Sequence, residues 1–124
     1  MAGFSDYAET KILDLLFNNT AFGAIANVYM KLHTGDPGDA GTANAATETT
    51  RKEVTWAAAS GNSIANDAAV TWTNIAGSED ATHFSLWDAS SAGNCLGTGT
   101  ITANAYTAGD TLNFAIGAIT FTVD

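Results

Sequence analysis

Val28-Tyr29-Met30-Lys31-Leu32-His33 alternates: Val28, Met30 and Leu32 fall on one face of an extended chain, Tyr29, Lys31 and His33 on the other. A period of two specifies a half-buried strand, and it returns repeatedly downstream. Glu53-Val54-Thr55-Trp56 and Ala69-Val70-Thr71-Trp72 are separated by turn signals at Ser60-Gly61-Asn62 and Asn66-Asp67. Thr82-His83-Phe84-Ser85-Leu86-Trp87 leads through Ser91-Ala92-Gly93-Asn94 into Cys95-Leu96-Gly97-Thr98-Gly99-Thr100-Ile101, the pattern of a hairpin. Glycines in its second arm imply a bulge or close packing. After Ala108-Gly109-Asp110 come Thr111 to Ile116 and a closing strand in which Ile119, Phe121 and Val123 alternate. About seven short strands with turns between them, and no further helical pattern, predict an antiparallel β-sandwich, jelly-roll-like, or a barrel; a βαβ fold is excluded.

Upstream of the first strand the period is helical. Between Asp6 and Phe17, Ala8, Ile12, Leu15 and Leu16 share one face, and Leu13 and Phe17 widen it. Asp6 with Glu9 three residues on reads as a capping box, and Asn18-Asn19 supplies the left-handed stop. A helix this short is marginal alone, so its stripe is expected to lie against the sheet or, failing that, against a second subunit.

Residues 34–50 read as a long acidic loop. Gly35-Asp36-Pro37-Gly38-Asp39-Ala40-Gly41 is turn chemistry, and loops of this length in compact domains are seldom idle. Asp36, Asp39 and Glu48 are hard oxygen ligands, weak candidates for calcium if the loop folds back on itself. The plainer reading is that Pro37 fixes a turn and Asp36 caps its neighbours.

The chain is 124 residues long and 46% hydrophobic, which suits one domain spanning 1–124: a helix at 6–17, the loop at 34–50 and a strand-rich part at 52–124. Four Lys+Arg stand against 13 Asp+Glu, a net charge of -9, which repels phosphate backbones and anionic membrane surfaces. Cys95 is the single cysteine, so no intramolecular disulfide or multi-cysteine zinc site forms. The first residues lack the charged and apolar regions of a secretory leader, and no apolar run approaches the roughly 20 residues of a membrane span, so synthesis in the cytoplasm is expected. Small neutral side chains dominate, a composition that suits permanent packing against other subunits but that an Ala-rich genome also produces.

Little in the chain resembles a catalytic constellation. Ser85, His83, His33, Asp88 and Cys95 are the available nucleophile, base and acid types, and His83 and Ser85 share a strand face, as any residues two apart do. No nucleophile elbow, zinc-binding helix or phosphate loop is present. No cofactor is expected. Trp56, Trp72 and Trp87 suit a core, and alternatively a stacking platform for a sugar or peptide.

Three stretches in order resemble a family of short bacteriophage virion proteins commonly labelled phage tail fibre proteins. They are Phe4-Ser5-Asp6-Tyr7 running into Ile12 to Phe17, Val28-Tyr29 leading to Gly35-Asp36-Pro37-Gly38-Asp39-Ala40-Gly41, and Thr82-His83-Phe84 running to Trp87-Asp88-Ala89. Ala108-Gly109-Asp110-Thr111-Leu112 fits as well. The chain departs from the family's pattern after Ala43, where a Gly-rich turn and a Tyr normally precede the Arg that Arg51 matches. The resemblance implies a non-enzymatic component of the virion that contacts other virion proteins, major capsid or tail subunits, as a homo-oligomer or symmetric array. Phe4, Tyr7, Asp36, Pro37, Asp39 and Arg51 are the expected interaction residues. Elongated fibres need repeats or trimeric shafts, and no repeat at a fixed period occurs, so a globular decoration, cement-type or tail-associated role is expected; a host glycan- or receptor-binding module is the alternative.

Overall fold

The computed structural model describes residues 3–123; Met1, Ala2 and Asp124, at the ends of the 1–124 unit, lie outside the described residues. The chain order is β1 (Gly3–Phe4), α1 (Asp6–Phe17), β2 (Val28–His33), β3 (Lys52–Val54), β4 (Ser63–Ala65), β5 (Val70–Trp72), β6 (Glu79–Trp87), β7 (Cys95–Tyr106), β8 (Leu112–Phe114) and β9 (Thr120–Thr122). Five strands form one sheet in the order β1-β7-β6-β2-β3, while β4-β9 and β5-β8 form two-stranded ribbons, and every pairing is antiparallel. The protein is mostly β with one helix near its N-terminus, in a sandwich-like arrangement.

The described strands number nine, against about seven expected. The additions are short: β1 has two residues and β4 three, too few to display a period, and β4 sits between two turn signals that conceal it. Trp56 lies beyond β3 and makes only an isolated bridge to Asn66.

The alternation in β2 does what its pattern dictates. Met30 and Leu32 join Phe84 and Leu86 on the inner face of the sheet, where Val70, Trp72, Phe114 and Phe121 from the ribbons meet them in one core. Trp72 stands edge-on to Phe114 at 5.9 Å, and its indole N–H donates to the Thr50 carbonyl at 2.9 Å. The glycines of β7 are there for close packing, because a Cβ on Gly99 would lie 2.5 Å from the Phe84 ring and one on Gly97 2.6 Å from Phe121. A register shift between Leu86 and Trp87 supplies the bulge as well.

The helix departs from expectation in two ways. Its N-cap is Ser5, not Asp6: the Ser5 hydroxyl accepts from the Ala8 N–H at 3.2 Å and donates to the Cys95 carbonyl. Asn19 does take the left-handed conformation, at φ 51°, that ends the helix. The apolar stripe is not covered by the sheet. Of it only Ala8 is buried; Leu15 and Leu16 are 46% and 68% exposed, and the flanking Leu13 and Phe17 57% and 77%. The reason is geometric: α1 packs on β7 and β1 at its first turn, and about 18 Å of helix carries its far end past that anchor.

Candidate functional site

The outer face of the sheet would carry Tyr29, Lys31, His33, Ser85 and Trp87 into water if it were bare, yet His33 and Ser85 are completely buried. The 34–50 loop covers them. Its turn is held from within: the Asp36 carboxylate accepts from the Gly38 N–H at 2.9 Å, Gly38 sits at φ 71°, and Asn44 donates to the Asp36 carbonyl at 2.8 Å. Pro37 is buried, and its carbonyl accepts from Ala43 N–H at 2.9 Å. Gly41, at φ 68°, lies so close over Cys95 and Trp87 that a Cβ there would meet the Cys95 sulfur at 2.5 Å.

Beneath the loop runs a buried polar chain. His33 Nδ1 bonds the Ala43 carbonyl at 2.8 Å, His33 Nε2 bonds Ser85 Oγ at 2.8 Å, and the Trp87 indole N–H donates to the same hydroxyl at 2.7 Å. A carbonyl accepts only, so Nδ1 carries the proton and Nε2 accepts from Ser85. Burial pushes the His33 pKa below its ordinary value and keeps the ring neutral. Ser85 thus pairs with His33 across strands and not with His83, which bonds Thr82 Oγ1 at 2.8 Å instead. With serine and histidine both sealed, this arrangement fastens the loop and offers no access to a substrate.

The loop's far end is tied by charge. Burial pushes the Glu48 carboxyl up, but N–H donors from Ala76 at 3.1 Å and Thr50 at 3.1 Å outweigh it and hold the pKa below the ordinary value. The Arg51 guanidinium sits over Trp87, its carbon 3.9 Å from the ring centre, and donates to the Ala89 and Ala92 carbonyls at 2.8 and 2.7 Å, gripping the β6–β7 turn. Asp88 accepts from the backbone and side-chain N–H of Asn94 in the same turn.

The expected interaction residues therefore separate. Pro37 and Arg51 are spent on docking the loop; Asp36 and Asp39 are exposed at its tip. Phe4 packs on Phe121 at 5.2 Å, and Tyr7 meets Phe22 edge-on at 6.4 Å with Lys11 at its ring. Asp36, Asp39 and Glu48 do not converge: among the described residues no group of three or more His, Cys, Asp or Glu is placed to hold a metal ion, and both Glu48 oxygens serve backbone N–H groups. The tryptophans occupy different layers, Trp72 in the core, Trp87 under the loop and Trp56 half-buried at the surface, so they form no shared platform.

Two surface features lie outside the six residues expected for interaction, although the helix stripe was itself expected against a second subunit where the sheet did not cover it. One is the bare end of α1, Leu13, Leu16 and Phe17. Its signal in the sequence was an apolar stripe wider than one helix face needs. The other is a continuous apolar groove between the sheet and the β4-β9 ribbon. It comprises cavities of about 200 and 320 Å3 that share Phe4, Ile64 and Phe121.

The chain is a helix-led β domain with two exposed apolar features, the end of α1 and the groove beside the β4-β9 ribbon. A family model described as Podophage GP4 fiber I protein gp80 matches residues 3–122, and the chain belongs to that family. It is a fiber-type structural protein of the bacteriophage virion, associated with other components of the particle, as the resemblance in its sequence implied. No curated protein matches the chain. No helix among the described residues is long and apolar enough to cross a membrane.

Proposed function

We propose that residues 1–124 act as one non-enzymatic domain, without cofactor, that joins the particle as a tail-associated subunit. The observation that carries this reading is the bare end of α1. Leu13, Leu16 and Phe17, at 57 to 77% exposure on one short helix, form an apolar patch of the kind that marks a protein contact. Family membership supports the tail in preference to a decoration or cement role on the head. The partners are other virion subunits, met through α1 and the exposed acidic tip of the loop at Asp36 and Asp39, and the net charge of -9 turns the protein away from packaged DNA. The test is incorporation: the chain is expected at stoichiometric copy in purified particles, located on the tail by labelled-antibody imaging. The Leu16→Ser/Phe17→Ser chain, folded by circular dichroism, is expected to be lost from them. Absence of the wild-type chain from particles, or a capsid location, refutes the proposal.

A second reading, a host-glycan contact, has one observation in its favour. Trp56 edges an open cleft of about 310 Å3 together with Asn27, Glu53 and Thr55, an aromatic face beside hydrogen-bonding groups. Quenching of tryptophan fluorescence by host surface polysaccharide, lost in Trp56→Ala, is its test; no change on titration removes it.

A further inference from the structure

The His33 ring is enclosed by two surfaces of unequal strength. On one side is the sheet, where His33 closes β2 in register with His83 on β6 and is held by the ladder. On the other is the loop, whose segment 34–44 is bonded largely to itself: Thr34 N–H to the Asn44 carbonyl, Ala43 N–H to Pro37 and Gly41 N–H to Gly38, each at 2.9 Å. Its grip on the ring is the Ala43 carbonyl at Nδ1. For water to reach the ring, the loop gives way before the sheet does.

Both ring nitrogens bond neutral partners, the Ala43 carbonyl and the Ser85 hydroxyl. A proton added at Nε2 points at Ser85 Oγ, which now donates there and already accepts from Trp87. Ser85 must then turn round and leave its own O–H without that acceptor. The new charge would sit at 0% exposure beside two groups that oppose it, Lys31 on the same strand and His83 across from it. Of the loop's acids, Asp36 accepts from Gly38 N–H, Glu48 from Ala76 and Thr50, and Asp39 is exposed. The same sheet face carries Tyr29 and its register partner Glu53 on β3, Arg51 over the Trp87 ring, and Cys95 beneath Gly41.

We propose that this arrangement is an acid-released latch: protonation of His33 lifts the loop from the sheet while the rest of the domain stays folded. With the loop up, the ring meets water and takes its proton at the ordinary value of 6.5; closed, burial holds it lower. Closure is therefore complete above pH 6.5 and weakens as pH falls, the open population rising up to ~tenfold per pH unit until the closed ring also protonates. The far end of the loop does not let go. Arg51 holds the Ala89 and Ala92 carbonyls, and Glu48, whose carboxyl is kept below its ordinary value, stays ionised on Ala76 N–H in mild acid. The loop thus lifts as a flap hinged at 48–51. Beneath it Ser85, Trp87 and Cys95, all buried in the closed form, come to the surface. The outer face of the domain changes character with acidity, from an acidic loop tip at neutral pH to an indole and an imidazolium in mild acid.

Cys95 reports the flap, being the chain's single cysteine and lying under Gly41. The intact chain is labelled with an aromatic dipyridyl disulfide, a thiol reagent that works in acid, between about pH 7.5 and pH 5. Each rate is divided by that of the urea-unfolded chain at the same pH, which cancels the titration of the thiol itself. The ratio is expected to be constant above pH 6.5 and to rise up to ~tenfold per unit below it, with a folded circular dichroism spectrum. It is also expected to exceed the unfolded fraction that urea titration gives at each acid pH, which separates a lifted loop from global unfolding. His33→Leu should label faster than wild type at neutral pH and show no rise in acid. His83→Gln, which removes the neighbouring imidazole and leaves the latch, should keep the rise. Should His33→Leu fail to fold, His83→Gln and the comparison with urea still decide. A flat wild-type ratio, a ratio equal to the unfolded fraction at every pH, a rise that persists in His33→Leu, or one lost in His83→Gln each overturns the proposal.

Discussion

His33→Leu tests whether the loop is fastened by the buried polar chain. The substitution removes the bonds to Ala43 and Ser85, both 2.8 Å. At ~1 kcal/mol net for each neutral bond, that is about 2 kcal/mol. Ser85 keeps the Trp87 N–H, but its own O–H is left buried without an acceptor, which adds ~1 kcal/mol or more. Ala43 is exposed, so its carbonyl turns to water and adds little. The sum is about 3 kcal/mol, and at ~4 °C per kcal/mol for a chain of this size the melting midpoint falls by about 12 °C. Calorimetry and urea unfolding at pH 7.5 measure it. Ser85→Ala placed on top of His33→Leu is expected to cost ~1–2 kcal/mol less than it does in wild type, since the orphaned hydroxyl goes with it. A His33→Leu protein within ~0.5 kcal/mol of wild type, or strictly additive effects, would show that the loop is held by other means.

The same histidine sets a pH dependence. Its folded-state pKa is lowered, so between that value and 6.5 the unfolded chain holds more protons, and stability present above pH 6.5 is lost as pH falls below it; His33→Leu should flatten a melting-temperature profile in that window. Glu48 and Asp88 are also held below their ordinary values of 4.5 and 3.8, so their contributions, present above those values, are lost on further acidification, and this second decline should survive in His33→Leu. Gly99→Ala forces a methyl group against the fully buried Phe84 ring and should cost ~1–3 kcal/mol, with Phe84→Leu in the same chain recovering part of it; an unchanged urea midpoint for Gly99→Ala refutes the close packing. Asn66→Leu removes a buried amide that accepts from the Ile119 N–H and donates to the Ala68 and Ala115 carbonyls, and should cost about 3 kcal/mol or more by chemical unfolding; a loss under ~1 kcal/mol refutes it.

What could be read from the sequence was what local pattern controls. Residues 28–33 alternate cleanly and form a strand with those bounds, and the Asp36-Pro37-Gly38 signal becomes the turn it describes. The helix was legible from its period, but periodicity states which side chains share a face and not what covers that face. The sheet that was to bury Leu15 and Leu16 ends short of them. The pairing of His33 with Ser85, 52 residues apart, leaves no local trace, and neighbours two apart on one strand suggested His83 instead. Nor does turn chemistry reveal that a loop will roof a sheet. That follows from Gly41 and Arg51 meeting Trp87, a contact between residues with no shared pattern. The groove was invisible because its walls come mainly from β1, β4, β7 and β9, three of them strands of only two or three residues.

The roofing loop also fixes an order of events. Nearly every group that fastens it lies later in the chain: Ala76, Ser85, Trp87, and the Ala89 and Ala92 carbonyls 38 and 41 residues beyond Arg51. Until β6 and β7 have paired, only β2 offers it anchorage, at Leu32 and His33, so during synthesis it emerges before most of what it settles on. It therefore closes last and opens first, and the Thr34 and Ala43 amides, bonded only within the loop, should exchange with deuterium well ahead of those in the β6–β7 hairpin.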